Sequence, residues 1–249
     1  MKHARVAYAG SIHGAISENG QLRLNDGRLV SEASVVWLPP VVSGTILALG
    51  LNYATHAQEL SFEPPTEPLA FLKTYTSLVG HLGHTRHPAG VTHMHYECEL
   101  AVVIGKTARH VPKHAAYDFI RGYTVANDYA IRDYLENFYR PNLRVKSRDE
   151  ATPLGPWLVD VADIPNPMNL RLTTAVNGHL KQQGCTKDML FDIPTLIEYF
   201  TSFMTLQPGD LILTGTPEGL FDVKPGDQVV TEIEGIGRLV NTIVEDWRS

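Results

Sequence analysis

The chain has 249 residues, 43% of them hydrophobic, enough to bury one sizeable core in one large domain or two small ones. Its net charge of −6 argues against general binding to nucleic acid or an anionic membrane surface, and the longest apolar stretch, around 41–51, is too short and too broken by Ser43, Gly44, Thr45 and Gly50 to span a bilayer. Two cysteines, Cys98 and Cys185, make no disulfide framework, and no apolar leader follows Met1-Lys2-His3, so a cytoplasmic protein is expected.

Residues 1–40 read as a small N-terminal β segment of short strands and turns, with Asn25-Asp26-Gly27 as a hairpin signal and Pro39-Pro40 at its end. Ile46–Leu49 is a short apolar strand. It leads through Gly50 into a predicted helix over 52–60, where His56 and Glu59 share a face. A carboxylate beside an imidazole orients the ring and raises its basicity, which makes an acid/base pair. A solvated pair on a surface helix has the same spacing. Pro64, Pro65 and Pro68 break the chain, and Phe71–Leu72 and Ser77–Gly80 suggest a further strand and a loop. The segment 81–95 is irregular and carries His81, His84, His87, His93 and His95. A zinc centre is conceivable there, but the spacing matches no compact ligand pattern and no cysteine pair supports it.

Tyr96–Gly105 reads as a strand with Glu97 and Glu99 on one face and Cys98, Leu100, Val102 and Ile104 on the other. A solvated strand face would account for the glutamates; a buried pair would need a cation to hold it. Asp128 opens the next polar run. If it meets Glu97 and Glu99, three hard oxygen ligands suit Mg²⁺ or Mn²⁺ far better than a soft metal. The pattern predicts a helix over 115–122, a strand over 123–127 and a helix over 133–139 stopped by Pro141. Arg132, Arg140, Arg144, Lys146 and Arg148 form a basic cluster in a net-acidic chain. It is either a solvated loop or a clamp for a di- or tricarboxylate, whose geometry arginine matches. RNA contact is the weakest option because aromatic interleaving is sparse.

Leu170–Val176 is a strand turning at Asn177-Gly178. The helix that follows has Asp192 as N-cap, Pro194 at its first position and a core stripe of Ile193, Leu196, Ile197, Phe200, Phe203 and Met204. Strands over 211–213, 228–233 and 238–244 complete a β-rich last quarter. Between them Thr214–Gly219 is a glycine-bracketed turn that can aim N–H groups and a hydroxyl at an anion, although ordinary tight turns look alike.

These pieces in order resemble the fumarylacetoacetate hydrolase superfamily: Gly50-Leu51-Asn52-Tyr53 with His56 and Glu59, Phe71-Leu72-Lys73, Tyr96–Leu100, Asn127-Asp128 with Arg132-Asp133, Lys146, Gly155-Pro156-Trp157, Asn177-Gly178 with Gln182 and Thr186, Met189-Leu190-Phe191 and Leu211–Gly219. The resemblance implies an α+β, β-rich fold, a mixed β-roll with flanking helices like that family's C-terminal domain, so that 41–249 is the catalytic domain. It implies that Glu97, Glu99 and Asp128 bind Mg²⁺ or Mn²⁺, that His56 and Glu59 are a dyad on a mobile lid, and that Lys146 is the active-site lysine. Gln182 and Thr216 match substrate-contacting positions, and Lys73 and Arg132 lie near the site; Arg140 and Arg144 are expected to hold substrate carboxylates.

Within the family, Asn127–Asp149, above all Glu136–Arg144, is similar to the branch that acts in 4-hydroxyphenylacetate (homoprotocatechuate) breakdown. That implies decarboxylation of 5-oxopent-3-ene-1,2,5-tricarboxylate and isomerisation of 2-hydroxyhepta-2,4-diene-1,7-dioate through one metal-stabilised dienolate. Tyr75, His179 and Cys185 depart from residues frequent in the family, which bears on the substrate rather than on the metal. Alternatives are an acylpyruvate- or fumarylacetoacetate-type C–C hydrolase, an oxaloacetate decarboxylase, or a non-catalytic partner subunit. The chain looks like the C-terminal half of relatives that fuse two such halves, so a homodimer or higher assembly, or pairing with a sister subunit, is expected.

Overall fold

The computed structural model describes residues 1–135 and 143–246. Period-two alternation in the first forty residues produces β1 (Lys2–Tyr8), β2 (Ser11–Glu18), β3 (Gln21–Leu24), β4 (Leu29–Val30) and β5 (Val36–Leu38). Then follow β6 (Ile46–Gly50), α1 (Ala54–Glu59), β7 (Leu69–Lys73), β8 (Leu78–Val79), β9 (His84–His87), β10 (Met94–His95) and β11 (Cys98–Ile104). After a 3-10 segment at Lys113–Phe119 come β12 (Ile120–Asn127), β13 (Ala130–Ile131), α2 (Leu143–Lys146) and β14 (Thr152–Asp160). The last elements are β15 (Arg171–Val176), β16 (His179–Cys185), α3 (Ile193–Phe203), β17 (Leu211–Leu213), β18 (Gln228–Ile233) and β19 (Gly237–Glu245).

Among the described residues the strands form a large mixed sheet, β4-β3-β2-β1-β14-β12-β11-β17-β6-β7, with β5 beside β1 and β8 beside β14. A five-stranded sheet, β16-β15-β18-β19-β9, and the small β10-β13 pair complete the β-rich α+β architecture that the sequence implies. The N-terminal strands are continuous with the large sheet, because β1 pairs with β14. No helix among the described residues is long and apolar enough to cross a membrane.

The central strand β11 is buried along its whole length. Leu100, Val102 and Ile104 pack in one core with Leu172, Ile197, Phe200 and Ile233; Ala101 and Val103 pack in another with Ile46, Ala48, Leu211 and Leu213. Burying each such branched side chain contributes about 1.5–3 kcal/mol, so β11 is held in register from both sides. Glu97 and Glu99 continue the second face by alternation, and they are therefore carried into the interior.

Several elements differ from the sequence-based expectations. The helix predicted over 115–122 is the 3-10 segment Lys113–Phe119, and strand begins at Ile120, which pairs with Ile104. Pairing with β11 overrides local helical preference, and Gly122 fits there because a Cβ would lie 2.2 Å from the carbonyl oxygen of Val159. Arg132–Tyr134 is a 3-10 turn rather than the start of an α-helix; the remainder of the predicted 133–139 helix lies largely outside the described residues. In α3 the Asp192 carboxylate accepts from the Thr195 amide (2.8 Å) as an N-cap, and the helix starts one residue before Pro194. Phe203 is exposed in its last turn instead of joining the stripe, and Met204 lies just past the helix.

Candidate active site

The antiparallel pairing of β11 and β12 sets Cys98 opposite Asn127, so Glu97 and Glu99 enter the sheet where Asp128 leaves it. The Asp128 amide donates to the Glu97 carbonyl (2.9 Å), and the Asn127 side chain accepts from the Glu97 amide (2.9 Å). These bonds bring one ligand oxygen from each of Glu97, Glu99 and Asp128 within 4.8 Å of the others, all three residues being buried. Glu99 Oε2 accepts from the Gly215 amide (2.8 Å). Gly215 has φ +88°, and a Cβ there would lie 2.8 Å from Cβ of Asn52, so glycine permits that approach. Asn52 braces the turn, donating to the carbonyls of Thr214 (2.8 Å) and Phe191 (3.1 Å).

Three cations face the carboxylates. Lys73 Nζ donates to Asp128 Oδ1 (2.5 Å) and to the Lys146 carbonyl. Lys146 Nζ donates to Glu97 Oε2, to Asp128 Oδ2 (3.0 Å) and to the Asp128 carbonyl (3.1 Å), while Arg132 Nη2 donates to Glu97 Oε1 (2.5 Å). Burial pushes the Glu97 carboxyl up, yet Lys146 and Arg132 overcome it and hold the group down at about 2. Burial pushes the Lys146 ammonium down, and Asp128 and Glu97 more than reverse that, leaving it raised. For Lys73 burial prevails over Asp128 and the ammonium is lowered.

Glu99 behaves oppositely. Burial, reinforced by the charges of Asp128 and Glu97, raises its carboxyl well above the carboxylate range. Its Oε1 atom is buried with no hydrogen-bond partner among the described residues. An orphaned carboxylate oxygen beside two more carboxylates is what a hard divalent cation satisfies, so the donor set fits Mg²⁺ or Mn²⁺.

His56 and Glu59 lie one turn apart on α1, with His56 Nδ1 3.2 Å from Glu59 Oε2. Glu59 Oε1 accepts from the amides of Gly219 (3.0 Å) and Leu220 (3.1 Å), which fixes the carboxylate and through it the ring. The proton therefore sits on Nδ1, and Nε2 is the basic atom. Burial lowers the His56 pKa, and Glu97 and Glu59 offset this only in part. A cavity of about 510 Å³ is lined by one member of each group, His56 of the dyad and Glu97 of the carboxylates: with Arg132, Lys146 and Thr216 they give its polar lining, and Leu51, Phe62, Leu69 and Phe71 lie on its apolar side.

The other candidates fall in different places. Gln182 is buried and saturated: its Nε2 donates to Thr216 Oγ1 (2.9 Å) and the Pro217 carbonyl (2.8 Å), and its Oε1 accepts from Thr174 Oγ1 (2.9 Å) and the Cys98 amide (3.3 Å). It thus holds Thr216 at the cavity. Arg144 is exposed with its guanidinium carbon 3.8 Å from the Tyr134 ring centroid, and Arg148 pairs with Asp246 (2.8 Å). Arg140 lies outside the described residues. Of the five histidines, His93 and His95 come together with Asp222, a partner more than a hundred residues away that no sequence spacing indicates.

A family model for the fumarylacetoacetate (FAA) hydrolase C-terminal domain matches residues 45–244. A 4-hydroxyphenylacetate degradation bifunctional isomerase/decarboxylase of Salmonella dublin is 61% identical over 206 residues, 83% of this chain and 48% of that protein. The chain thus spans about half the length of such relatives. The crystal structure of a 5-carboxymethyl-2-hydroxymuconate delta-isomerase from Mycobacterium smegmatis superimposes with a TM-score of 0.88 at 36% identity, covering 100% of both chains. That of a fumarylpyruvate hydrolase from Pseudomonas aeruginosa, in complex with Mn²⁺ and pyruvate, gives 0.77 at 29% identity over 83% of this chain and 91% of that one.

Proposed function

The chain belongs to the fumarylacetoacetate hydrolase C-terminal family, and from that premise we propose that it is a divalent-metal-dependent enzyme that decarboxylates 5-oxopent-3-ene-1,2,5-tricarboxylate and isomerises 2-hydroxyhepta-2,4-diene-1,7-dioate. The observation that carries the reading is the buried carboxylate trio, with its orphaned Glu99 oxygen, whose Glu97 lines one cavity with His56 of the dyad. Glu97, Glu99 and Asp128 would hold Mg²⁺ or Mn²⁺, which when bound supplies Lewis acidity toward a 2-oxo acid.

The chain's own groups account for the rest. Lys146 and Arg132 present positive charge to a substrate carboxylate at the cavity wall. Loss of CO₂ leaves an electron pair delocalised along the conjugated chain, and the distal carbon takes up a proton that Nε2 of His56 has first drawn from solvent. In isomerisation Nε2 of His56 takes up and returns the proton, because Glu59 occupies Nδ1. Leu51, Phe62, Leu69 and Phe71 give the carbon chain an apolar wall to lie against.

The test is an assay of the full chain with the tricarboxylate, following CO₂ and ultraviolet absorbance, with Mg²⁺ and with EDTA. Metal-dependent CO₂ release with a transient dienol is expected. A pair of organic acids released from fumarylpyruvate or an acylpyruvate, with no CO₂ from the tricarboxylate, would instead make the chain a C–C hydrolase like its Pseudomonas neighbour.

A further inference from the structure

Arg132 has two anchors. Its Nη2 donates to Glu97 Oε1, and its Nε donates to Nδ1 of His95 (3.3 Å). His95 is brought there by the β10–β13 pairing, which sets it opposite Ala130, while the Arg132 amide donates to the His93 carbonyl (2.7 Å). A guanidinium has donors only, so Nδ1 must offer its lone pair and the ring proton sits on Nε2. That atom lies 3.0 Å from Asp222 Oδ1, close enough for charge attraction although not aligned as a hydrogen bond, and Asp222 Oδ2 lies 3.2 Å from His93 Nδ1.

We propose that His95 and Asp222 are positioning residues: the Asp222 carboxylate beside Nε2 favours the Nε2–H form of His95 that the Arg132 donor requires, and the lone pair of His95 sets the plane of the Arg132 guanidinium against Glu97 and the substrate carboxylate. The substrate half of this statement rests on the function proposed above.

A metal at His93, His95 and Asp222 is the obvious competitor, since their donor atoms lie within 4.8 Å of one another. A ligating imidazole gives its second ring N–H to an acceptor. Here the second nitrogen of His95 faces the Arg132 donor, so the ring cannot bind a cation through Nε2 and keep that bond. The arrangement suits a brace rather than a ligand set.

The test combines a spectroscopic and a kinetic readout on the full chain. Long-range ¹H–¹⁵N spectra of ¹⁵N-histidine-labelled, metal-free protein, with the His95 signal assigned by its loss in His95→Asn, are expected to show the Nε2–H form. Asp222→Asn is expected to move that signal toward the Nδ1–H form. In steady-state kinetics with Mg²⁺, His95→Leu is expected to raise KM on the order of 10-fold with a smaller change in kcat, since a misaimed clamp costs binding geometry first. His95→Asn, which keeps an acceptor near the Nδ1 position, is expected to restore most of the loss. A wild-type His95 signal of the Nδ1–H form, or stoichiometric Zn²⁺ lost on His93→Ala, overturns the proposal. A wild-type chain that turns over no substrate yet shows the expected ring form overturns the proposed function and leaves the brace standing.

Discussion

A histidine works as an acid/base only if one nitrogen is held and the other is free, and His56 meets both conditions through Glu59. Because burial lowers its pKa below the ordinary 6.5, the ring stays neutral and basic on the acid side of that value. Two outcomes are expected. His56→Ala lowers kcat by on the order of 10²–10⁴, as loss of a general acid/base does. In the wild type, the acid limb of the kcat/KM profile that reports this ring falls below pH 6.5. A variant changed only in KM would reduce His56 to a wall of the cavity. The pair is legible as i,i+3 spacing, and the resemblance implies the role proposed for it. Its anchoring was not, because the amides of Gly219 and Leu220 that hold Glu59 come from 160 residues away. Gln182 shows the reverse: the resemblance implies contact with substrate, and all four of its hydrogen bonds go to the protein.

At the scale of elements, strong local signals fared best. Asp192, Pro194 and the apolar spacing after them give α3 nearly to the residue, since cap and stripe act within a few turns. The cap carries a stability prediction. Asp192→Ala is expected to cost about 1 kcal/mol, a drop of about 2–4 °C in Tm, with kcat unchanged. Thermal unfolding with EDTA present reads the first and the Mg²⁺ assay the second; an unchanged Tm would mean that packing of Leu196 and Phe200 alone holds the helix. β14 is not legible in the sequence because Pro153 and Pro156 interrupt its pattern, and proline in a strand signals an edge or a break. It is nevertheless buried almost throughout between β1 and β12. That pairing is long-range, and nothing in the local sequence announces it.

At the scale of the whole molecule, the site is a meeting point of β7, β11, β12, α2 and the turn after β17, so whatever binds it ties distant segments together. The identity of its charged groups was legible; their mutual pairing and the orphaned oxygen were not, because both depend on which strands become neighbours. The same geometry is expected to make folding stability depend on metal and pH. Glu99 has a folded-state pKa raised above its ordinary 4.5, so without metal the folded chain binds more protons than the unfolded one as pH rises past that value. Stability from this group is present at acid pH and is lost as pH climbs toward the raised pKa. Glu97, drawn down to about 2, contributes stability above 4.5 that is lost only as pH falls through about 2, so it does not cancel the Glu99 trend above 4.5. A divalent cation that binds only the folded chain adds about 2.7 kcal/mol at a hundred times its Kd. For a chain of this size that corresponds to about 5–10 °C in Tm. The gap between Mg²⁺-loaded and EDTA-treated Tm is therefore expected to widen as pH rises above 4.5. Glu99→Gln is expected to flatten the pH dependence of the EDTA-treated Tm and to abolish most of the response to Mg²⁺, because it removes the titrating carboxyl and a ligand together. Differential scanning calorimetry of both proteins across that range decides the matter. A wild type whose Tm ignores Mg²⁺ and Mn²⁺ at pH 8, or a Glu99→Gln chain that keeps the full response, would remove the carboxylate trio as the metal centre.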